Sequence, residues 1–176
     1  MKKNILITGS EGFVGTSLQK KLKENDFNTI LIDRIDSDKA SYFKFDLGKD
    51  NLKKLSNELQ KFNIDIVIHL AAAKGDFMIS DREFYDDNVT ATEAIVNLIK
   101  TLGVKKVIHY STVSVYGHNN LRTDEKALLK PNNIYGVTKL KSENIFLDWV
   151  KISKTSFLFD TYLHNLILIY DQFYKI

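Results

Sequence analysis

The chain has 176 residues, 44% of them hydrophobic and 27% charged, with a net charge of +3 and no cysteine. That length supports one domain with a real core and is short for two of ordinary size, while the missing thiols exclude disulfides and thiolate zinc sites. Lysines scattered along helical stretches do not make a nucleic-acid surface, and the start Met1-Lys2-Lys3 followed by one short apolar strand is not a signal peptide, so the cytoplasm is the default location.

In chain order, an apolar strand over 4 to 8 runs into Thr8-Gly9-Ser10-Glu11-Gly12-Phe13-Val14-Gly15 and then a helical pattern over 13 to 24 carrying Leu18 and Leu22. Strand, glycine turn and helix are the setting of a dinucleotide fingerprint. Gly9 permits the tight turn, Gly12 lets the backbone approach a pyrophosphate, and Gly15 lets the helix pack on its strand. The spacing is GxxGxxG, not GxGxxG. The helix start offers unpaired N–H groups and a positive dipole end to phosphates. A second strand, 29 to 33, ends in Asp33, where an acid meets the adenosine ribose hydroxyls and favours NAD over NADP. Arg34 follows and is the residue that would contact a 2′-phosphate.

Further on come a short strand near 42 to 45, a helix over 50 to 61, a strand over 65 to 70, a helix over 82 to 101 and a strand over 105 to 111. After a long polar connection, 112 to 133, with the single proline Pro131, a helix runs over 134 to 152. Strands alternating with helices predict an α/β fold, a doubly wound parallel sheet of Rossmann type covered on both faces. On the last helix Tyr135 and Lys139 stand four residues apart, on one face. A lysine that close favours the phenolate, so Tyr135 reads as a candidate general base. The bland reading of this spacing is a solvated helix face.

Taken together, TGSEGFVG at 8 to 15, Asp33, Asp46-Leu47, HLAAA at 69 to 73, Asn88, STVSVYG at 111 to 117 and PNNIYGVTK at 131 to 139 resemble the extended short-chain dehydrogenase/reductases. Within these the chain is similar to the NAD-dependent epimerase/dehydratase family, whose members mostly act on nucleotide sugars. The resemblance implies NAD as cofactor. It makes Thr112 the hydrogen-bonding partner of the reacting sugar oxygen, Tyr135 the base, and Lys139 the residue that binds the nicotinamide ribose and tunes the tyrosine. Asp46 and Leu47 would flank the adenine. Ala71, Ala72 and Ala73 would line the pyrophosphate path, with Phe13, Val14 and Leu70 also at the cofactor. Lys74 is either a phosphate contact or a surface lysine, and Asn88 resembles the asparagine that orders the nicotinamide end. The implied chemistry is hydride transfer from a sugar carbon to NAD while Tyr135 removes the hydroxyl proton. Family dehydratases carry an Asp-Glu pair after the catalytic Thr, and Val113-Ser114 stands there instead. Epimerase or reductase therefore ranks ahead of dehydratase. Relatives often dimerise through the helices equivalent to 82–101 and 134–152, so a homodimer is expected.

Beyond residue 153 the family pattern is expected to break. Residues 1–153 read as the NAD-binding domain and 154–176 as an atypical tail, with most or all of the C-terminal substrate domain missing through a frame shift, a cut, or a naturally short design. Within the tail Ser156 to Phe159 suit a further strand, and Tyr162, Leu166, Ile169 and Phe173 an amphipathic helix. Asp160, His164, Asn165 and Asp171 interrupt it and argue against a membrane span. A second function class follows from the missing region: a catalytically silent NAD-binding fragment or sensor of cofactor state. The remaining motifs have plain readings. His69 and His109 read as buried, hydrogen-bonded core histidines, His118 and His164 lack carboxylates at metal-site spacing, Ser111 and Ser114 are loop structure, and Trp149 packs near Phe146.

Overall fold

Six parallel strands form one sheet in the order β3-β2-β1-β4-β5-β6. The computed structural model describes residues 2–74, 78–118 and 127–153, and the backbone of 156–160. The strands are β1 (Asn4–Thr8), β2 (Asn28–Asp33), β3 (Tyr42–Lys44), β4 (Ile66–His69), β5 (Lys106–Tyr110) and β6 (Ser156–Asp160). The helices are α1 (Phe13–Glu24), α2 (Leu52–Leu59), α3 (Asp81–Tyr85), α4 (Ala91–Leu102) and α5 (Ile134–Ser153). This is the strand order of a doubly wound dinucleotide fold, whose ligand crevice opens where the order reverses, between β1 and β4.

Side chains that alternate along each strand divide the core in two. Ile5, Ile7, Leu31, Ile66, Ile68 and Ile108 face α1 through Leu18 and Leu22. Leu6, Ile30, Ile32, Val67 and Val107 meet the other layer, where Leu55 and Leu59 of α2, Ile95, Leu98 and Ile99 of α4, and Phe146 and Trp149 of α5 close the core. Burying each of these large side chains contributes about 1.5–3 kcal/mol. The packing role expected of Trp149 is the one observed.

Local chemistry sets the ends of the elements. Asn51 caps α2 by accepting from the Lys53 N–H, and Asn63, at φ 46°, ends the 3₁₀ turn Gln60–Phe62 that follows it. Ser80 and Glu83 form a reciprocal capping box on α3. Gly103, at φ 68°, takes the left-handed cap of α4. The single helix expected over 82 to 101 is interrupted: Asp86–Thr90 is a π turn between α3 and α4. Its extra residue turns Asn88 inward, a contact that apolar periodicity does not encode. The strand expected at Ser156 to Phe159 is present as β6, with Lys106 opposite Ser156 and Tyr110 opposite Asp160. The amphipathic helix expected behind it, and residues 119–126 of the long connection, lie outside the described residues.

Candidate cofactor and catalytic site

At the sheet's switch point the glycine turn is held against β4. Gly9 has φ 67°, and a Cβ there would lie 2.6 Å from the Ala71 backbone nitrogen. A Cβ on Gly15 would lie 2.3 Å from the Gly9 carbonyl oxygen. Gly12 differs: it is exposed, and its Cβ would meet only the Gly9 oxygen at 3.3 Å. The start of α1 therefore presents open backbone to a ligand, with no acidic side chain in its first turn. Asp33 closes the far wall, accepting the Glu11 N–H on Oδ2 and the Arg34 N–H on Oδ1, each at 2.8 Å. Each oxygen keeps a lone pair for a ribose hydroxyl.

These residues enclose a cleft of about 290 Å³, near the lower end of ligand-site volumes, roughly 300–1,000 Å³. Gly9, Gly12, Asp33, Arg34, Asp46, Leu47, Leu70, Ala71 and Ala72, read from the sequence as cofactor contacts, all line it. Phe45 and Ala91 add apolar wall. The other predicted cofactor residues sit elsewhere. Phe13, 88% exposed, and half-buried Val14 lie on the start of α1, and Gly15 is buried beneath it. Lys74 is exposed, while Ala73 is buried and donates its N–H to Asn88 Oδ1 at 2.7 Å. Arg34 is engaged through Nη1, which lies 2.8 Å from the Asp87 carboxylate.

Asn88 is fully enclosed and acts as a staple. Besides Ala73, its amide donates to Thr138 Oγ1 on α5 at 2.9 Å, and its carbonyl accepts from the Ser142 and Thr92 hydroxyls, each at 2.6 Å. The π turn is thereby tied to the segment after β4 and to the helix carrying Tyr135.

Thr112, Tyr135 and Lys139 stand outside the cleft, on the turn after β5 and on α5. Thr112 caps the 3₁₀ turn Val113–Tyr116, accepting from the Ser114 N–H at 3.1 Å. Gly136 makes the next contact possible, because a Cβ there would lie 2.5 Å from the Ser114 carbonyl oxygen. With α5 seated this closely, the Tyr135 and Thr112 hydroxyls hydrogen-bond. Ser114, read from sequence as loop structure, is the floor on which α5 rests.

The electrostatics of this group differ from the sequence expectation. Burial raises the Tyr135 phenol above its ordinary range, opposed by the Thr112 hydrogen bond. Lys139 does not lower it here. The lysine is buried, and its Nζ donates to the Tyr110 carbonyl at 2.6 Å and lies 3.4 Å from His109 Nε2. Sharing a helix face with Tyr135 does not decide where a four-carbon side chain ends, and this one ends at the tip of β5. Burial lowers Lys139 to about 8, opposed by Glu143 one turn along. Burial raises the Glu143 carboxyl, opposed by the Ser111 hydroxyl, which donates to it, and by Lys139. His69 is the hydrogen-bonded core histidine expected, between Thr8 Oγ1 at 2.7 Å and Thr92 Oγ1 at 3.2 Å. His109, stacked on it at 5.4 Å, is also buried and hydrogen-bonded, with Nε2 3.4 Å from Lys139 Nζ, and has no hydrogen-bond partner for Nδ1 among the described residues.

A stability prediction follows from Lys139. Its folded pKa lies below the ordinary 10.5, so the cost of holding its charge is fully present below about pH 8 and disappears as pH rises toward the unfolded value. Lys139→Met should be more stable than wild type at pH 7 by about 1–3 kcal/mol, with the gain shrinking at pH 10. Urea unfolding at both pH values checks this, and an equal difference at the two would contradict it.

The sequence reading missed Glu11, Asp87, His109 and Glu143. Glu143 had a visible signal, since it lies four residues beyond Lys139 on the same face. His109 becomes informative only when β4 and β5 are paired and set it opposite His69.

The model of the NAD dependent epimerase/dehydratase family matches residues 5–164. The chain belongs to that family. A UDP-glucose 4-epimerase of Pisum sativum is 32% identical over 166 residues, which cover 82% of this chain and 47% of that protein. A dTDP-D-glucose 4,6-dehydratase of Dictyostelium discoideum is 32% identical over 180 residues, 85% of this chain and 41% of that one. Among solved structures, MoeE5 in complex with UDP-glucose and NAD superposes with a TM-score of 0.77 at 31% identity, over 89% of this chain and 52% of that chain. This chain thus spans about half the length of the curated relatives it matches. Among the described residues, no helix is long and apolar enough to cross a membrane, and no group of three or more His, Cys, Asp and Glu is placed to hold a metal.

Proposed function

We propose that this family member binds NAD in the glycine-turn cleft and performs nucleotide-sugar oxidoreduction, as an epimerase or reductase, at Thr112, Tyr135 and Lys139. The observation that carries this reading is the seat of Gly136 on the Ser114 carbonyl, which brings the Tyr135 phenol to the Thr112 hydroxyl. When bound, NAD supplies a hydride acceptor. The residues supply the proton chemistry. Thr112 holds the sugar hydroxyl, and Tyr135 takes its proton as the C–H bond breaks. Lys139, protonated at neutral pH with a pKa of about 8 and held at the tip of β5 by the Tyr110 carbonyl, is the residue that binds the nicotinamide ribose. Val113 is apolar and more than half exposed, and Ser114 is engaged with Thr112, so neither offers the acid/base pair a dehydratase needs.

The cleft fits the cofactor on its own geometry: an exposed glycine at a helix start, a carboxylate with lone pairs to spare, and an apolar wall. Asp33, with Arg34 engaged elsewhere, favours NAD over NADP. Residues 1–153 together with β6 form the cofactor domain in this reading, and α4 with α5 offer the faces for pairing of two copies.

The cofactor claim is tested by Gly12→Val. The backbone at Gly12 is extended, with φ −72°, and the position is exposed, with the Gly9 oxygen at 3.3 Å the one atom a Cβ would crowd, so the side chain costs the fold little while it blocks the pyrophosphate path. NAD affinity should fall about a hundredfold or more with the melting temperature nearly unchanged. Calorimetric titration showing wild-type affinity in Gly12→Val would remove the cleft as the cofactor site.

A further inference from the structure

We infer that Glu11 and Asp87 set the cofactor choice of this cleft, by occupying the two cations, Lys39 and Arg34, that would otherwise hold a 2′-phosphate. The inference rests on the NAD-binding reading of the cleft and adds the residues that enforce it.

The Lys39 ammonium lies 2.8 and 2.9 Å from the two carboxylate oxygens of Glu11. The Arg34 guanidinium lies 2.8 Å from Asp87 Oδ2. Burial within each pair is uneven. The side chains of Glu11 and Asp87 are 13% and 15% exposed, against 38% and 54% for Lys39 and Arg34. The anions are therefore built into the cleft wall, and the cations reach across to them from the end of β2 and the connection behind it. Glu11 is held in place through its backbone, whose N–H is bound by Asp33.

A 2′-phosphate brings nearly two negative charges at neutral pH and needs unoccupied cationic donors. Around this cleft it would meet the carboxylates of Glu11, Asp33, Asp46 and Asp87 and one lining cation, Arg34, already paired. A free 2′-hydroxyl meets no such opposition and can donate to Asp33. Discrimination therefore comes from carboxylates set against the wrong ligand as much as from the contact with the right one. Asp33 alone does not account for it, because an arginine directly after that acid is otherwise available to a phosphate.

The test measures NAD⁺ and NADP⁺ dissociation constants on the 176-residue chain, its Glu11→Gln/Asp87→Asn variant, and that variant with Arg34→Leu/Lys39→Leu added. Asp33 is kept throughout. In the double variant the NADP⁺/NAD⁺ affinity ratio should rise about tenfold or more, and adding Arg34→Leu/Lys39→Leu should cancel most of the rise. Arg34→Leu in the wild-type background should leave NADP⁺ affinity within about twofold, since that arginine is already occupied. Asp87→Asn alone, expected to give a smaller rise of the same sign, decides the matter if the double variant does not fold. An unchanged ratio, or a rise that survives Arg34→Leu/Lys39→Leu, overturns the inference while NAD⁺ binding stands. A wild-type chain that binds neither dinucleotide overturns the cofactor reading itself.

Discussion

Tyr135→Phe should slow nucleotide-sugar turnover by about a hundredfold to ten-thousandfold, with NAD⁺ affinity nearly unchanged. The substitution deletes one oxygen and keeps the ring, which packs 6.3 Å from Phe84, so α5 stays seated. What disappears is the hydroxyl bonded to Thr112, the group that takes the sugar's proton in the proposed reaction. Burial holds this phenol above its ordinary range, so the reactive phenolate becomes more abundant as pH rises. The wild-type rate should climb on the alkaline side, and the variant should lose that climb. A panel of UDP- and dTDP-sugars provides the measurement, with epimerised sugar followed by chromatography and reduction followed by loss of NADH absorbance. Equal rates in both proteins, or no turnover in either beside tight NAD⁺ binding, would favour the silent module.

Gly15→Val should cost more than about 3 kcal/mol of stability, in contrast to the same change at Gly12. A Cβ at Gly15 would lie 2.3 Å from the Gly9 oxygen and 2.6 Å from the Ser10 oxygen, both backbone atoms. The turn cannot give way, because Gly9 is itself pressed against the Ala71 nitrogen and Leu70 carbonyl carbon of the segment after β4. The strain must then lift α1 off the sheet, together with Leu18 and Leu22, which pack that face. Gly103 makes a useful reference. Nothing lies within 4 Å of a Cβ there, but its φ of 68° is left-handed, so alanine should cost only about 1 kcal/mol. Urea unfolding of the three glycine variants should rank Gly15→Val far below Gly103→Ala, with Gly12→Val near wild type. A loss under about 1 kcal/mol at Gly15 would show that the turn is not packed as described.

Much of the architecture was legible from local pattern. Apolar runs over 4 to 8, 65 to 70 and 105 to 111 marked β1, β4 and β5, because a strand buried on both faces needs nearly continuous apolar residues. The glycine turn, its helix at Phe13–Glu24 and Asp33 at the end of β2 were readable for a similar reason: each depends on neighbours a few residues away. So was the presence of Thr112, Tyr135 and Lys139 near one strand end, which the motif order implies.

Where those side chains point was not legible. Lys139 reaches Tyr110 and His109, 29 and 30 residues back, and Arg34 reaches Asp87, 53 residues on. The π turn that buries Asn88 is inseparable from Thr138, 50 residues away. The sequence by itself determined the succession of elements, the parallel sheet and the residue types brought to its switch point, since periodicity and turn chemistry act over one or two turns of chain. Tertiary structure alone decided which charges are paired, which amine leaves the phenol uncompensated and which histidine meets it, because those outcomes depend on contacts that exist only once β1, β4, β5 and α5 are packed together.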